Sequence, residues 1–123
     1  MGRVGHYVSM DRSERPWGHY HVLADEEDHK VKRIYVEPGM RISYQRHTKR
    51  SEHWFFLRGE GVAVLNKENF KVGPGDTIDI PAGMAHRIEN VGEVGPLVFV
   101  EVQHGTYFGE DDIIRLEDDF GRV

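Results

Sequence analysis

Two stretches of the sequence decide the fold. Residues 39–59 read GMRISYQRHTKRSEHWFFLRG, and residues 75–90 read GDTIDIPAGMAHRIEN. Each stretch sets a short run of β-branched or aromatic residues next to Gly- or Pro-bearing turns, a pattern that is typical of β-hairpins. His, Glu and Gln side chains lie beside these turns. If both hairpins line one barrel, their polar side chains converge at one end of it.

Further short strands are predicted outside these two stretches. Strand-favouring runs lie at residues 19–23, 31–36, 62–65, 70–72 and 97–102. Such segments recur about every ten residues, and this spacing is typical of a β-sandwich or barrel. A single helical turn is predicted, at residues 110–117. The sequence therefore predicts an all-β domain.

Length and composition limit the classes of protein that fit. A chain of 123 residues predicts one domain, which we place at residues 15–123, with residues 1–14 as an N-terminal arm or edge strand. The 21 acidic and 16 basic residues give a net charge of −5, which argues against a general nucleic-acid partner. The sequence has no Cys, which excludes thiolate chemistry, and no run of about 18 apolar residues that could span a membrane. We therefore expect a cytoplasmic protein with no nucleic-acid or membrane partner.

Four polar residues of the two stretches have the spacing of a metal site. Gln45 and His47 are two residues apart, so they share one face of a strand. Glu52 is far enough along the chain to face back from the next strand, and His86 comes from the second hairpin. Two imidazoles, one carboxylate and one amide oxygen suit one divalent transition ion such as Zn, Co, Mn, Ni or Fe. The alternative for Gln45 is a hydrogen bond outside the ligand set, and for Glu52 an ion pair with a neighbouring arginine.

The two stretches resemble the paired motifs of the cupin superfamily. The first motif is matched over residues 39–59, except that Gln45 stands where the first His of the motif usually is. The second motif is matched at every fixed position over residues 75–90. The resemblance implies a double-stranded β-helix, which is a jelly-roll-like barrel, with the metal inside it. It also implies a homodimer, because cupins are often dimers.

A narrower resemblance is to the cupin domain of type II mannose-6-phosphate isomerases. It is carried by residues 15–18 (RPWG), 45–54 (QRHTKRSEHW), 101–115 and 120–122 (FGR). In most of that family the domain is fused behind a nucleotidyltransferase that makes GDP-mannose, and these 123 residues do not include that half. The resemblance implies a metal-dependent aldose–ketose isomerase that interconverts mannose 6-phosphate and fructose 6-phosphate.

Basic residues near the two stretches are candidates for binding the sugar phosphate. They are Arg41, Arg46, Lys49, Arg50, Arg87, Arg115 and Arg122. A phosphate ester carries about two negative charges and matches the guanidinium fork. We predict that Arg50 or Arg115 holds it; the alternative for any one of these residues is a surface salt bridge. The base that moves the proton is not fixed by the sequence, since Lys49, Glu101, His53 and a metal-bound hydroxide are all candidates.

Two alternatives to the isomerase follow from the same residues. The first is a non-catalytic, metal-containing cupin that binds a sugar or metabolite. The second is a metal-dependent dioxygenase, because two His and one carboxylate can hold iron with open positions. The Gln at position 45 and the resemblance of the tail to the sugar isomerases make the dioxygenase the weaker alternative.

Overall fold

The computed structural model describes residues 12–123, and its regular structure consists of β-strands. The strands are β1 (Ser13–Arg15), β2 (Gly18–Asp25), β3 (His29–Val36), β4 (Tyr44–Arg46), β5 (Arg50–Arg58), β6 (Gly61–Leu65), β7 (Glu68–Val72), β8 (Thr77–Ile80), β9 (His86–Asn90), β10 (Leu97–Gly105) and β11 (Ile114–Glu117). Residues 12–123 contain no helix, and hence none that could cross a membrane. Of the predicted arm at residues 1–14, residues 1–11 lie outside the described part; residues 13–15 form the edge strand β1.

The strands form two antiparallel sheets that share one core. The order in the first sheet is β1-β2-β3-β10-β5-β8, and the order in the second is β11-β4-β9-β6-β7. The chain crosses between the sheets repeatedly, so strands distant in sequence become neighbours, such as β3 and β10. Buried apolar side chains from both sheets belong to one cluster. The all-β prediction is confirmed, with a two-sheet, jelly-roll-like arrangement of the strands.

Strand β5 shows how the sequence pattern produces the core. Trp54 and Phe56 are fully buried, whereas Phe55 and Leu57 are exposed, as the period of two in a strand requires. The ring centroids of Trp54 and Phe56 lie 5.0 and 5.1 Å from that of Phe99 in β10. Burial of each Phe side chain contributes roughly 1.5–3 kcal/mol. This aromatic cluster fixes β5, and with it the polar residues at the start of the strand.

The prediction of a helical turn at residues 110–117 is wrong. Ile114–Glu117 forms β11, which pairs antiparallel with β4. Ile114 and Leu116 are exposed, while Arg115 is partly buried and lines the cavity inside the barrel. The apolar residues therefore follow a strand period rather than a helix period. Pairing with β4 prevails because it gives the backbone groups of both short strands hydrogen-bond partners.

Two glycines bring the two sequence motifs together. Gly83 has a φ of 87°, in the region that residues with a Cβ rarely adopt, and its N–H donates to the carbonyl of His47 at 2.7 Å. Gly105, at the end of β10, packs so closely on the backbone of Lys49 and Arg50 that a Cβ there would collide with it. The segments that lead into β5 and β9 therefore lie side by side at one end of the barrel.

Candidate metal centre

Three side chains from the two motifs meet inside the barrel. His47 follows β4, Glu52 lies on β5 and His86 begins β9, and their ligand atoms all lie within 4.8 Å of one another. His47 Nε2 is 3.2 Å from Glu52 Oε2, and His86 Nε2 is 3.6 Å from Glu52 Oε1. The three side chains are at most 4% exposed. The structure thus brings together three of the four predicted ligands as a possible metal site, which we call the His–Glu–His group.

Backbone carbonyls fix both imidazoles in the form that binds metals. His47 Nδ1 donates to the carbonyl of Asp112 at 2.6 Å, and His86 Nδ1 donates to the carbonyl of Met84 at 3.0 Å. Because a carbonyl only accepts, each proton lies on Nδ1 and each Nε2 carries a lone pair. His86 Nε2 is buried and has no hydrogen-bond partner in the described structure. A lone pair of this kind, aimed at a carboxylate, fits a divalent ion.

The buried environment also keeps both imidazoles neutral. Burial, assisted by the nearby charge of Arg50, lowers the pKa of His47 to about 4. Burial likewise lowers the pKa of His86 below its ordinary value. Both rings are therefore neutral at pH 7, which is the protonation state that a metal ligand needs.

Gln45, the fourth predicted ligand, lies beside this group. It is paired with His86 in the register of β4 and β9. Its Oε1 accepts a hydrogen bond from Ser43 Oγ at 2.8 Å, and the residue lines the barrel cavity. Ligation by Gln45 stays a prediction; the hydrogen bond from Ser43 is the role that the structure gives its oxygen.

A buried network links Glu52 to a second carboxyl group. The indole Nε1 of Trp54 donates to Glu52 Oε1 at 3.1 Å and to Glu101 Oε2 at 3.2 Å. Gln103 Nε2 donates to Glu101 Oε1 at 2.6 Å. Burial, reinforced by the negative charge of Glu52, raises the pKa of Glu101 to about 7. Glu101 lines the barrel cavity, so of the three side chains considered as bases it is the one that the fold places there.

Arg50 lies among the predicted ligands. Its Nε donates to Glu52 Oε2 and its Nη2 donates to His47 Nε2, both at 3.2 Å. The side chain is only 5% exposed, and its Nη1 has no hydrogen-bond partner among the described residues. The ion pair of Arg50 with Glu52 is the alternative that the sequence left open for Glu52, whereas the contact of Arg50 with His47 was not predicted.

A cavity of about 70 Å³ adjoins the His–Glu–His group, and His47 is the member of the group that lines it. Five of the residues that line it are cations, namely Arg15, Lys32, Arg50, Arg115 and Arg122. Arg50, Arg115 and Arg122 were candidates from the sequence, whereas Arg15 and Lys32 were missed. Lys32 lies two residues before the buried Ile34 and four before the buried Val36, so the three side chains share one face of β3. This spacing was the signal from which the position of Lys32 inside the barrel could have been predicted.

Lys32 is held in the cavity by partners on two sides. Its Nζ is 2.9 Å from Glu110 Oε2 and 4.1 Å from the centroid of the Tyr20 ring. Burial acts to lower the pKa of Lys32, but the charges of Glu101 and Glu110 outweigh it and raise the pKa. Lys32 is therefore a buried, paired cation at the wall of the cavity.

Several predicted residues lie elsewhere. Lys49 is absent from the described residues that line the cavity, and its Nζ lies 5.2 Å from the centroid of the Tyr107 ring. His53 Nδ1 pairs with Asp79 Oδ1 at 2.6 Å on the outside of the first sheet. A separate depression of about 330 Å³, the outer groove, contains two other predicted arginines; it is lined by Arg41, Tyr44, Val62, Val64, Lys67, Asn69, Arg87, Glu89 and Glu117.

Two antiparallel sheets with a shared core and a buried His–Glu–His group define the chain as a cupin-type barrel, and solved structures agree. A Streptomyces PAC13 variant with uridine superposes with a TM-score of 0.77 at 21% identity, covering 96% of this chain and 93% of that one. The Schizosaccharomyces pombe Cnp3 cupin domain gives a TM-score of 0.72 at 14% identity, covering 79% and 69%. At these identities the likeness concerns the fold alone.

Within the cupins, the chain belongs to the family described as mannose-6-phosphate isomerase C-terminal, which it matches over residues 5–118. It is 41% identical over 122 residues to the mannose-1-phosphate guanylyltransferase ManC of Salmonella typhimurium, covering 99% of this chain and 25% of the relative. It is 42% identical over 109 residues to the xanthan biosynthesis protein XanB of Xanthomonas campestris, covering 89% and 23%. The chain thus spans about a quarter of the length of the curated relatives that it matches.

These relatives correct the predicted activity. The sequence predicted interconversion of mannose 6-phosphate and fructose 6-phosphate, but the relatives are named as mannose-1-phosphate guanylyltransferases. That functional prediction is therefore wrong, although the resemblance to the family is confirmed. The motifs behind the prediction specify a barrel and a metal-ligand geometry, and neither specifies a reaction. What the comparisons establish is relationship to a family of enzymes.

Proposed function

We propose that this chain is a metal-binding cupin domain that binds a phosphorylated hexose of the mannose series, as part of an enzyme of sugar-nucleotide synthesis. The observation that carries the proposal is one cavity whose lining combines His47 of the His–Glu–His group with several arginines. We call the part of the cavity next to His47 its inner end. The names of the relatives, which refer to mannose 1-phosphate, support the choice of sugar.

The inner end suits a divalent transition ion. His47, Glu52 and His86 would hold it, with Gln45 as the proposed fourth ligand. Among Zn, Co, Mn, Ni and Fe, the borderline character of this donor set does not select one. With a single carboxylate ligand, such an ion would keep about one net positive charge and would supply a Lewis acid for a sugar oxygen. The chain's own contribution is to hold two neutral imidazoles and one carboxylate in place.

The outer part of the cavity suits the phosphate. Arg115 Nε is buried and lacks a hydrogen-bond partner in the described structure, so it has a donor to offer. Arg122 also lines the cavity and forms an ion pair with Asp118 at 2.8 Å. A phosphate ester accepts several charge-assisted hydrogen bonds from arginines. We therefore propose Arg115 as the principal phosphate ligand, with Arg122 beside it.

Glu101 gives the site a group that can hold a proton. Its carboxyl lines the cavity between Lys32 and the His–Glu–His group and shares the Trp54 N–H with Glu52. A carboxyl with a raised pKa can accept or donate a proton near neutral pH. We propose that the Glu101 carboxyl forms a hydrogen bond to an oxygen of the bound sugar, as a donor when protonated and as an acceptor when ionised.

Two broader expectations accompany the proposal. The acidic net charge of −5 supports a small-molecule partner in place of nucleic acid or membrane, and phosphorylated sugars are cytoplasmic metabolites, so we propose that the protein acts there. We also propose a homodimer, on the resemblance to other cupins. Light scattering on the purified protein at several concentrations tests the dimer directly.

Calorimetry with the metal-loaded and chelator-treated protein tests the binding function. We expect mannose 1-phosphate and mannose 6-phosphate to bind at least about tenfold more tightly than mannose, and only when metal is present. Arg115→Gln should abolish the preference for the phosphate. Arg87→Gln, in the outer groove, is the matched control and should leave it intact. Equal affinities for mannose and its phosphates would contradict the proposal.

A further inference from the structure

Arg50 and a metal ion require the same lone pair. His47 Nδ1 carries a proton, since it donates to the carbonyl of Asp112. The ring therefore has one acceptor atom, Nε2, and the guanidinium of Arg50 donates to that atom at 3.2 Å. The same guanidinium donates to Glu52 Oε2. An ion coordinated by His47 Nε2 and Glu52 excludes Arg50 from its present position, by geometry and by like charge.

We propose that Arg50 is an exchangeable cation, which competes with the metal for His47 and Glu52 and, when the metal displaces it, becomes a donor for the anionic ligand. Metal and phosphorylated ligand then bind with positive coupling, because the metal releases the arginine that the phosphate uses. This inference rests on the proposed function. It adds that the affinity for the phosphorylated ligand depends on whether the metal is bound, and that the affinity for the metal depends on whether the ligand is bound.

The cavity provides a place for the displaced side chain. Arg50 lines the cavity at the start of β5, and its Nη1 is buried without a hydrogen-bond partner among the described residues. Glu101 and Glu110 line the same cavity, so a guanidinium that leaves Glu52 still has carboxylates nearby. Arg115 lines this cavity as well, so the moved guanidinium and Arg115 can contact one phosphate together.

A supporting role for Arg50, in which it orients a metal ligand, predicts the opposite change in metal affinity. If Arg50 only oriented Glu52 for the metal, its removal would weaken metal binding, as the loss of residues that support ligands usually does by about 10–100-fold. If it competes with the metal, its removal strengthens metal binding. The sign of the change in metal affinity therefore decides between the two roles.

The first experiment measures Zn²⁺ affinity by calorimetry for the wild type, Arg50→Met and Arg50→Lys. We expect Arg50→Met to bind Zn²⁺ about tenfold more tightly than the wild type. Arg50→Lys keeps the charge but cannot donate to both ligands as a planar fork, and it should show a smaller gain. Arg41→Met is the matched control, because Arg41 lies in the outer groove and its guanidinium donates to Asp119; its Zn²⁺ affinity should change less than about threefold.

The second experiment begins with the wild type, so its first readout does not depend on the folding of a variant. The guanidinium Nε–Hε resonance of Arg50 should move when Zn²⁺ is added, before any sugar phosphate is present. Zn²⁺ should also raise the affinity for mannose 1-phosphate, and this gain should be about tenfold smaller in Arg50→Met. A ligand oxygen bound directly to the metal contributes equally in both proteins, so the difference in gain isolates Arg50.

The outcomes separate the two proposals. Weaker or unchanged Zn²⁺ binding by Arg50→Met, or an Arg50 resonance that Zn²⁺ does not move, overturns the exchange and leaves the metal-dependent function standing. A wild type that binds no Zn²⁺ overturns the proposed function, and the exchange with it.

Discussion

The barrel cavity and the outer groove are lined by similar residues, but they differ in whether the polar atoms of those residues have hydrogen-bond partners. This difference identifies the candidate site. Both contain arginine, tyrosine and glutamate side chains. The outer groove is the larger, at about 330 Å³ against about 70 Å³. Its arginines, however, are paired: Arg41 makes two hydrogen bonds to Asp119, at 2.7 and 2.8 Å, and Arg87 donates to Ile42 and Glu117.

The interior of the barrel holds polar atoms whose partners are missing from the described chain. Buried side-chain atoms without a hydrogen-bond partner include His86 Nε2, Arg50 Nη1, Gln103 Oε1 and Arg115 Nε, which belong to the metal centre, the cavity wall or the Glu101 network. Arg33 Nε, elsewhere in the structure, is the other one. Buried polar groups normally find partners, so a cluster of exceptions indicates ligands that come from outside. The difference between the two regions teaches that unmet hydrogen-bonding capacity, rather than volume, marks the site.

The strongest test of this contrast is His86→Ala. His86 is fully buried and its Nε2 lacks a partner in the described structure, so the variant removes a ligand outright. Since loss of a supporting residue costs about 10–100-fold in metal affinity, loss of a ligand should cost at least about 100-fold. Elemental analysis after loading with Zn²⁺ should find about one ion per wild-type chain and almost none in the variant. Full occupancy in the variant would show that the interior atoms do not mark a metal site.

The second test uses pH and the chelator-treated protein. Because the pKa of His47 is about 4 in the folded state against 6.5 in the unfolded state, the unfolded chain binds more protons between these values and stability falls as the pH is lowered through the window. Glu101, whose pKa is raised to about 7, acts in the opposite direction, so the comparison must be with His47→Gln. The free energy of unfolding of the wild type, relative to that of His47→Gln, should fall by about 3 kcal/mol from pH 6.5 to pH 4. Urea titrations at four pH values measure it, and a constant difference would argue against a buried, neutral His47.

A third and smaller effect is expected at Asp112. Its backbone carbonyl accepts from His47, and its carboxylate accepts from the backbone N–H groups of Thr48 and Lys49. Burial acts to raise the pKa of Asp112, but these hydrogen bonds outweigh it and lower the pKa. Asp112→Ala should loosen the segment that orients His47 and weaken Zn²⁺ binding by about tenfold. Glu117→Ala, on the outer groove, is the control for a lost carboxylate near the same strand and should bind Zn²⁺ as the wild type does.

The smallest expected effect is at the outer groove itself. Arg41→Gln removes a surface ion pair with Asp119, which contributes at most about 1 kcal/mol. We expect no change above about twofold in the binding of Zn²⁺ or mannose 1-phosphate. Calorimetry measures this binding. Loss of mannose 1-phosphate binding in this variant would show that the phosphate site lies in the outer groove and not in the barrel cavity.

The sequence was sufficient for the fold and for three residues of the candidate metal centre because those signals are local. His47 and Glu52 lie five positions apart in one stretch, and glycines at fixed positions shape the turns that align them with His86. The cavity wall was harder to predict. Lys32 is far from both stretches in the chain and reaches the site only because β3 pairs with β10.

Which arginines face inward could not be predicted from proximity to a motif. Arg41 and Arg50 both lie within the first motif, on either side of Gln45, yet one lies in the outer groove and the other among the predicted ligands. The backbone of Arg41 pairs only through an isolated β-bridge to Glu89, outside the named strands. The inward and outward alternation of side chains along a strand could therefore not be extended from the motif to Arg41. The reaction could not be predicted for a different reason. The same arrangement of metal ligands occurs in proteins that catalyse many different reactions.

The pairing of β11 with β4 has a consequence for how the protein matures. The segment that ends in β11 supplies the Asp112 carbonyl to His47, Glu110 to Lys32, and Arg115 to the cavity. The ribosome makes this segment after all four predicted ligands, at about 5–20 residues per second. A nascent chain therefore displays the His–Glu–His residues before anything holds the tautomer of His47. We expect stable metal uptake to begin only once this segment has emerged and docked, which makes loading of the ion a late step in biosynthesis.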